Sequence, residues 1–417
     1  FSAGSGVNTM TTGKQQLYYK GGKTDWIGID DGSRALPYGF PETKYFPNLP
    51  ADQAKLAKTI NTDWSIQSKN FSPNQSYQYA MGHSIKNKGK DFFGIVLSAS
   101  YNRNNLFQTT ERKTFASATD PNAPSQLDAS YLDKTYATQT LAGALANMAF
   151  KLNPNHGIYF KNVYSINSDD RVIRREGTPT PLDPNPILIR STAQWFTSNR
   201  IYSGQFGGDH VLGSSKVKIN WVSSYSNIER SIPNLRRMIY SKNTYFTDPT
   251  ETNPKDTMYS ANISQANVGP DYGGGMFFSK NNEAIYSGRM DVSYQFSIGD
   301  WLKNTIKTGA FYQDRERNFY ARQIGYTKYT KRFKYFSDSL LYLNENQIFD
   351  QQNMGVLNTD TNYTGFKLRD GTKLTDSYRA SSELRAAYLM MDTKLGTSVR
   401  LIYGVRVENF IQRLNAT

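Results

Sequence analysis

The sequence predicts an all-β protein, an antiparallel transmembrane β-barrel of which about eleven strands are present. Three observations predict it. Apolar and polar residues alternate with period two along many stretches, which marks strands with one apolar and one polar face. Very short connections alternate strictly with long polar ones. Mean hydropathy is low, −0.63, although Phe, Trp and Tyr reach 14% of the chain. Strands that show one face to lipid and one to water, joined by large loops, give that combination.

The elements justify themselves in order. Strand regions fall near 5–19, 76–86, 92–115, 136–152, 158–175, 188–211, 216–240, 284–296, 302–328, 377–394 and 399–414. In the second, Tyr77, Tyr79, Met81 and Ile85 oppose Gln78, Ala80, Gly82, Ser84 and Lys86. In the seventh, Val217, Ile219, Trp221 and Tyr225 share a face. In the eighth, Met290, Val292, Tyr294 and Phe296 oppose Arg289, Asp291, Ser293 and Gln295. The last alternates Val399, Leu401, Tyr403, Val405 and Val407 with Arg400, Ile402, Gly404, Arg406 and Glu408. Helical spacing is not sustained anywhere. Short connections sit at 87–89, 153–157, 212–215, 297–300 and 395–398, each with the Gly, Asn or Ser that a tight turn needs. The long connections are 21–72, 116–135, 176–186, 241–283 and 329–376. Proline, which cannot donate to a ladder, falls in the loops, at a strand entry or in a turn; only Pro233 lies within a strand region, near its loop end.

Composition removes competitors. By length alone the prior is two or three soluble domains. No apolar run approaches the roughly 20 residues of a membrane-spanning helix. Disordered chains are short of aromatics. Zero cysteines exclude disulfides and thiolate-ligated metals. Three histidines, His83, His156 and His210, are too few for His-rich chemistry. The formal charge of +14 is spread along the chain without a basic cluster or motif, so it reads as solvated faces rather than a nucleic-acid surface. In lipid a sheet must close to satisfy its backbone, and single-chain bacterial barrels have even strand counts. Eleven is odd. The chain, which begins at Phe1 and carries no signal peptide, is therefore expected to be the N-terminal part of a larger barrel, with a plug domain and C-terminal strands outside it. Its short turns belong on the periplasmic rim and its long loops outside the cell.

The stretch 18–37 carries a more specific pattern: Asp25-Trp26, Asp30-Asp31-Gly32, Arg34 and Leu36-Pro37. It resembles the first extracellular loop of TonB-dependent outer-membrane receptors, more narrowly those with a carboxypeptidase-regulatory-like domain before the plug. The segments 93–101 and 404–408 are similar to barrel strands of that family. The resemblance implies a barrel of about 22 strands around a plug. It implies import of a bulky nutrient (an oligosaccharide, a peptide or a chelate) with energy from the TonB inner-membrane complex. It further implies contact with outer-membrane lipid, location in the outer membrane of a Gram-negative cell, and for some members a surface lipoprotein partner. Competing readings are a passive porin or channel and a surface β-rich binding protein such as an adhesin.

No residue pattern argues for an enzyme, a cofactor or a metal. Asp30-Asp31-Gly32 lacks the further ligands of a calcium loop and reads as a turn in which Arg34 pairs a carboxylate. Gly273 to Gly275 does not lead from strand to helix, so it reads as a flexible loop tip rather than a phosphate cradle. Tyr240, Tyr245, Tyr259, Tyr272, Tyr326 and Tyr329 lie in or beside long loops. They are candidates for ligand contact by stacking and hydrogen bonding, against the plainer reading that they pack loops on each other.

Overall fold

A computed structural model describes residues 1–60, 63–87, 89–116, 124–213, 216–244, 258–266, 269–270, 273–299, 301–357, 362–396 and 398–416. One antiparallel sheet dominates it. Eleven strands run along this sheet in chain order: β1 (Ser2–Gly6), β2 (Asn74–Asn87), β3 (Lys90–Ala116), β4 (Gln126–Asn153), β5 (His156–Thr178), β6 (Leu188–Leu212), β7 (Val217–Lys242), β8 (Gly275–Ile298), β9 (Leu302–Lys328), β10 (Tyr378–Leu395) and β11 (Val399–Ala416). Each pairs with its neighbours in sequence, and β1 and β11 are the ends of the order. The count and the all-β class agree with the sequence pattern. Two short strands join from the loops, Ser260–Ala261 on β7 and Phe366–Asp370 on β9.

The tight turns join β2–β3, β4–β5, β6–β7, β8–β9 and β10–β11. Gly89, Gly213, Gly299 and Gly396 sit in four of them with φ between +55° and +75°, a region that costs glycine nothing and other residues strain. We call the turn end of the sheet lower and the long-connection end upper.

Register assigns each side chain to a face, because directly opposed residues share one. A single row crosses ten strands: Ile85, Phe93, Phe150, Ile158, Gly208, Trp221, Met290, Ala310, Ala387 and Val407. Every member is apolar. Tyrosines stand above it on the same face, with Tyr225 4.9 Å from Tyr286 and 6.1 Å from Tyr202, and Tyr77 stacked on Tyr101 at 6.3 Å. Ile85, Met290 and Val407 are 48–68% exposed. The opposite face carries ion pairs, Glu283 with Arg315 at 2.5 Å and Arg317 at 2.6 Å and Asp291 with Arg289 at 2.6 Å, whereas those on the row face, such as Arg385–Glu383 and Arg200–Glu229, stand above the row.

The upper strand halves depart from expectation. β4 begins at Gln126 and β8 at Gly275, so 126–135 and 275–283 are paired strand, not connection. Above the apolar band both faces are polar or loop-covered, and period two no longer shows in the sequence. The first strand region is also revised. β1 ends at Gly6, and Gln15–Tyr18 instead pairs with Gln67–Asn70 inside the first long loop. That loop holds an eight-residue helix, Pro50–Ala57, with Pro at its start, too short for a helical period to register. Pro233 falls where β7 slips register against both neighbours, and a bulge is where a strand tolerates a residue without N–H. The run Gly273–Gly275 is not a flexible tip. It is buried at the entry to β8, and a Cβ on Gly273 would lie 1.8 Å from the Asn262 carbonyl oxygen.

Three long connections share an apolar core over the upper sheet. Ala57, Ile60 and Trp64 of the first loop, Ala261 and Ile263 of the connection between β7 and β8, and Ile348, Phe366 and Leu368 of the last loop meet Tyr240, Met276, Ile324 and Tyr326 of β7–β9. Tyr326 stacks on Phe349 at 4.0 Å, and Trp64 lies 5.0 Å from Phe349.

Candidate functional site

The first loop, 7–73, lies on the face that bears the apolar row, directly above that row. Its short 3-10 turn Asp25–Ile27 ends at Gly28, φ +82°. A Cβ there would lie 2.8 Å from Ile166 Cγ2 and Ser168 Oγ of β5. Ser198 Oγ of β6 donates to the Gly28 carbonyl at 2.7 Å. Only glycine allows the loop to reach the sheet this closely.

Arg34 organises the motif. Its guanidinium donates to Asp25 Oδ1 at 2.8 Å and Oδ2 at 2.5 Å, and to Asp30 Oδ1 at 2.9 Å. The plane lies 4.4 Å from the Phe196 ring centroid. Asp31 stays exposed. Its bonds from Ser33, and then from the Lys23 amide, hold its carboxyl down at about 2. Gly32, φ +83°, is the open apex of that turn. Trp26 is 56% exposed, and its carbonyl accepts from Tyr101 Oη at 2.7 Å. Leu36 packs against the shared core, and the Pro37 carbonyl accepts from the Phe40 amide. The eight motif residues therefore build one turn network, with Trp26 and Asp31 presented to solvent.

Beneath Arg34 lies a group the sequence did not single out. Asp170 of β5 is half-buried, and its Oδ1 is shut off from solvent with no hydrogen-bond partner. Tyr19 is 4% exposed; burial and the nearby Asp170 charge push its hydroxyl well up. Arg236 of β7 is buried, and its Nη1 donates to the Asp63 carbonyl. Asp170, Phe196 and Arg236 come from three different strands, so no local motif could announce them.

The tyrosine candidates divide. Tyr240, Tyr326 and Tyr329 are 1–4% exposed. Tyr240 Oη donates to the Leu343 carbonyl at 2.9 Å, and the Tyr329 carbonyl accepts from Thr364 Oγ1 at 2.6 Å. These three pack loops together and present no ring to a surface ligand. Tyr259 is half-buried between Arg190, 4.8 Å from its ring, and Lys242, 5.0 Å away. Tyr245 and Tyr272 lie outside the described residues.

Two cavities flank the motif. One, of about 490 Å³, is lined by Lys20, Arg34, Asp63, Trp64, Arg236, Glu345 and Asp350 among others, with charges of both signs. The other, of about 230 Å³, lies between the loop and β3–β5, under Tyr18, Tyr19 and Trp26.

No family model matches the chain, and no curated protein matches it. Among solved structures, the ferric preacinetobactin receptor BauA from Acinetobacter baumannii aligns at 8% identity over 82% of this chain, with a TM-score of 0.23. The chain spans 57% of the length of that receptor, and the functional conclusion is drawn from the chain's own geometry.

Proposed function

We propose that the chain forms part of an outer-membrane β-barrel receptor that imports a bulky nutrient with TonB-supplied energy. The observation that carries the reading is the apolar row that crosses ten consecutive strands, capped by tyrosines and backed by an ion-paired face. An exposed apolar belt of that continuity is far beyond what a soluble surface carries. It has the make-up of a lipid-facing band with an aromatic girdle. The strict alternation of tight turns and long loops supports one rim on each side of a bilayer. The Asp25–Pro37 network and the polar cavity above it supply a structured outer surface suited to recognition rather than open conduction. In this reading a plug and further strands complete the barrel, and a surface lipoprotein is a candidate partner.

Fractionation of cells that express the complete gene tests location: the protein is expected in the outer membrane, migrating faster on gels before boiling than after. Planar-bilayer recording separates the receptor from a passive channel. A plugged receptor conducts little until its plug is removed. Steady large conductance from the intact protein would overturn the receptor reading in favour of a porin, and solubility without detergent would favour an adhesin.

A further inference from the structure

We propose that the smaller cavity, between the first loop and strands β3–β5, binds a terminal phosphate group through Lys69 and Arg103. The cavity has a volume of about 230 Å³. Its aromatic wall is Tyr18, Trp26 and Tyr136. Its cations are Lys23, Lys69, Arg103 and Arg171, the last paired with Asp169, and its carboxylates are Asp25 and Asp170. The two carboxylates do not balance the cations. Asp25 has both oxygens committed to Arg34, which leaves Asp170, whose Oδ1 has no hydrogen-bond partner, as the one uncommitted carboxylate. Among the described residues neither Lys69 nor Arg103 has an ion-pair partner. Arg103 Nε is buried with no acceptor. Burial, and then the Arg103 charge, disfavour the Lys69 ammonium form, while Asp170 favours it more weakly. Lys69 Nζ lies 4.1 Å from the Tyr18 ring centroid, at the cavity mouth.

Lys69 and Arg103 thus face one uncommitted carboxylate, Asp170, between them, and two like charges so held cost stability unless a further anion joins them. A guanidinium and an ammonium around a small cavity match a phosphate, which takes charge-assisted bonds from both. Position adds a second argument. Arg103 is two residues above Tyr101 on the apolar-row face of β3, so the cavity opens just above the tyrosine girdle. In a bilayer that is headgroup height. The phosphate can therefore come from a lipid headgroup or from free phosphate, and the experiment separates them.

The test uses the product of the complete gene in nanodiscs of phosphatidylcholine, titrated with inorganic phosphate and followed by phosphorus NMR. A parallel set of discs contains phosphatidic acid, with retained lipid read by native mass spectrometry. Saturable binding of phosphate or specific retention of phosphatidic acid is expected. Combining Lys69→Ala with Arg103→Gln should weaken it by about tenfold or more, since bonds to charged groups are worth about 1.5–3 kcal/mol, a tenfold factor being 1.4. Arg103→Lys, which keeps the charge, should keep a substantial part, and Lys242→Ala, remote from the cavity, should change nothing. Unaltered strand content by circular dichroism confirms that the variants fold. Retention of phosphatidic acid against excess free phosphate assigns the lipid as occupant; free phosphate binding with no retained phosphatidic acid assigns the soluble anion. Absence of binding in both sets, or equal binding by wild type and double variant, overturns the site.

Discussion

Arg34 is the residue on which the first loop depends. It is 6% exposed, forked onto Asp25 and set over Phe196, and its removal would leave Asp25 and Asp30 without their counter-charge. Breaking one side of such a buried pair costs about 3–5 kcal/mol. Arg34→Met should accordingly speed amide hydrogen exchange across 21–34 while leaving β10 and β11 protected; unchanged exchange in the loop would sink this role. Asp31 is held down to about 2 from 3.8 by the bonds of its turn. Its contribution is present above about pH 4 and fades as pH falls through about 2.

At the scale of elements, glycine contacts decide whether loop and sheet can meet. Gly28 and Gly273 each sit where a Cβ would strike a neighbour, at 2.8 Å and 1.8 Å. Gly28→Ala should detach the first loop and open 21–34 to limited proteolysis. Gly273→Ala should disturb the entry to β8 and the shared core around Tyr326. Protease resistance equal to the wild type in both would contradict the packing described. The lower strand halves were legible in the sequence because one face meets one environment there: Met290, Val292 and Tyr294 alternate cleanly with Arg289, Asp291 and Ser293. The upper halves were not. Residues 126–135 pair throughout with β3 or β5, yet polar side chains on both faces erase the period. The site was legible only in part. Arg34 could be matched to a carboxylate from the spacing of its own turn, whereas Phe196 and Asp170 reach it by register on β5 and β6. Tyr240, Tyr326 and Tyr329 looked like loop residues and became core because three connections fold onto one another, which no single segment encodes.

For the molecule as a whole, the two faces make opposed claims. Leu97 shares its face with the apolar row, and Ser98 points to the other. If lipid covers the row, Leu97→Arg should cost about 2–4 kcal/mol near the middle of the bilayer, while Ser98→Arg should cost little. Folding titrations into lipid vesicles read the difference, and equal costs would remove the assignment of faces. The alternation of connections also bears on how such a sheet can assemble. Pairs β2–β3, β4–β5, β6–β7, β8–β9 and β10–β11 are closed by turns of a few residues, and joining the ends of so short a segment takes little chain entropy. Pairing across the long connections closes loops of up to 67 residues, 7–73 being the longest, and only after those segments are drawn in. The order of events is thus written in loop lengths: five hairpins form as local units within microseconds to milliseconds. The slower step is their lateral zipping, during which the half-formed sheet exposes the greatest length of unpaired edge.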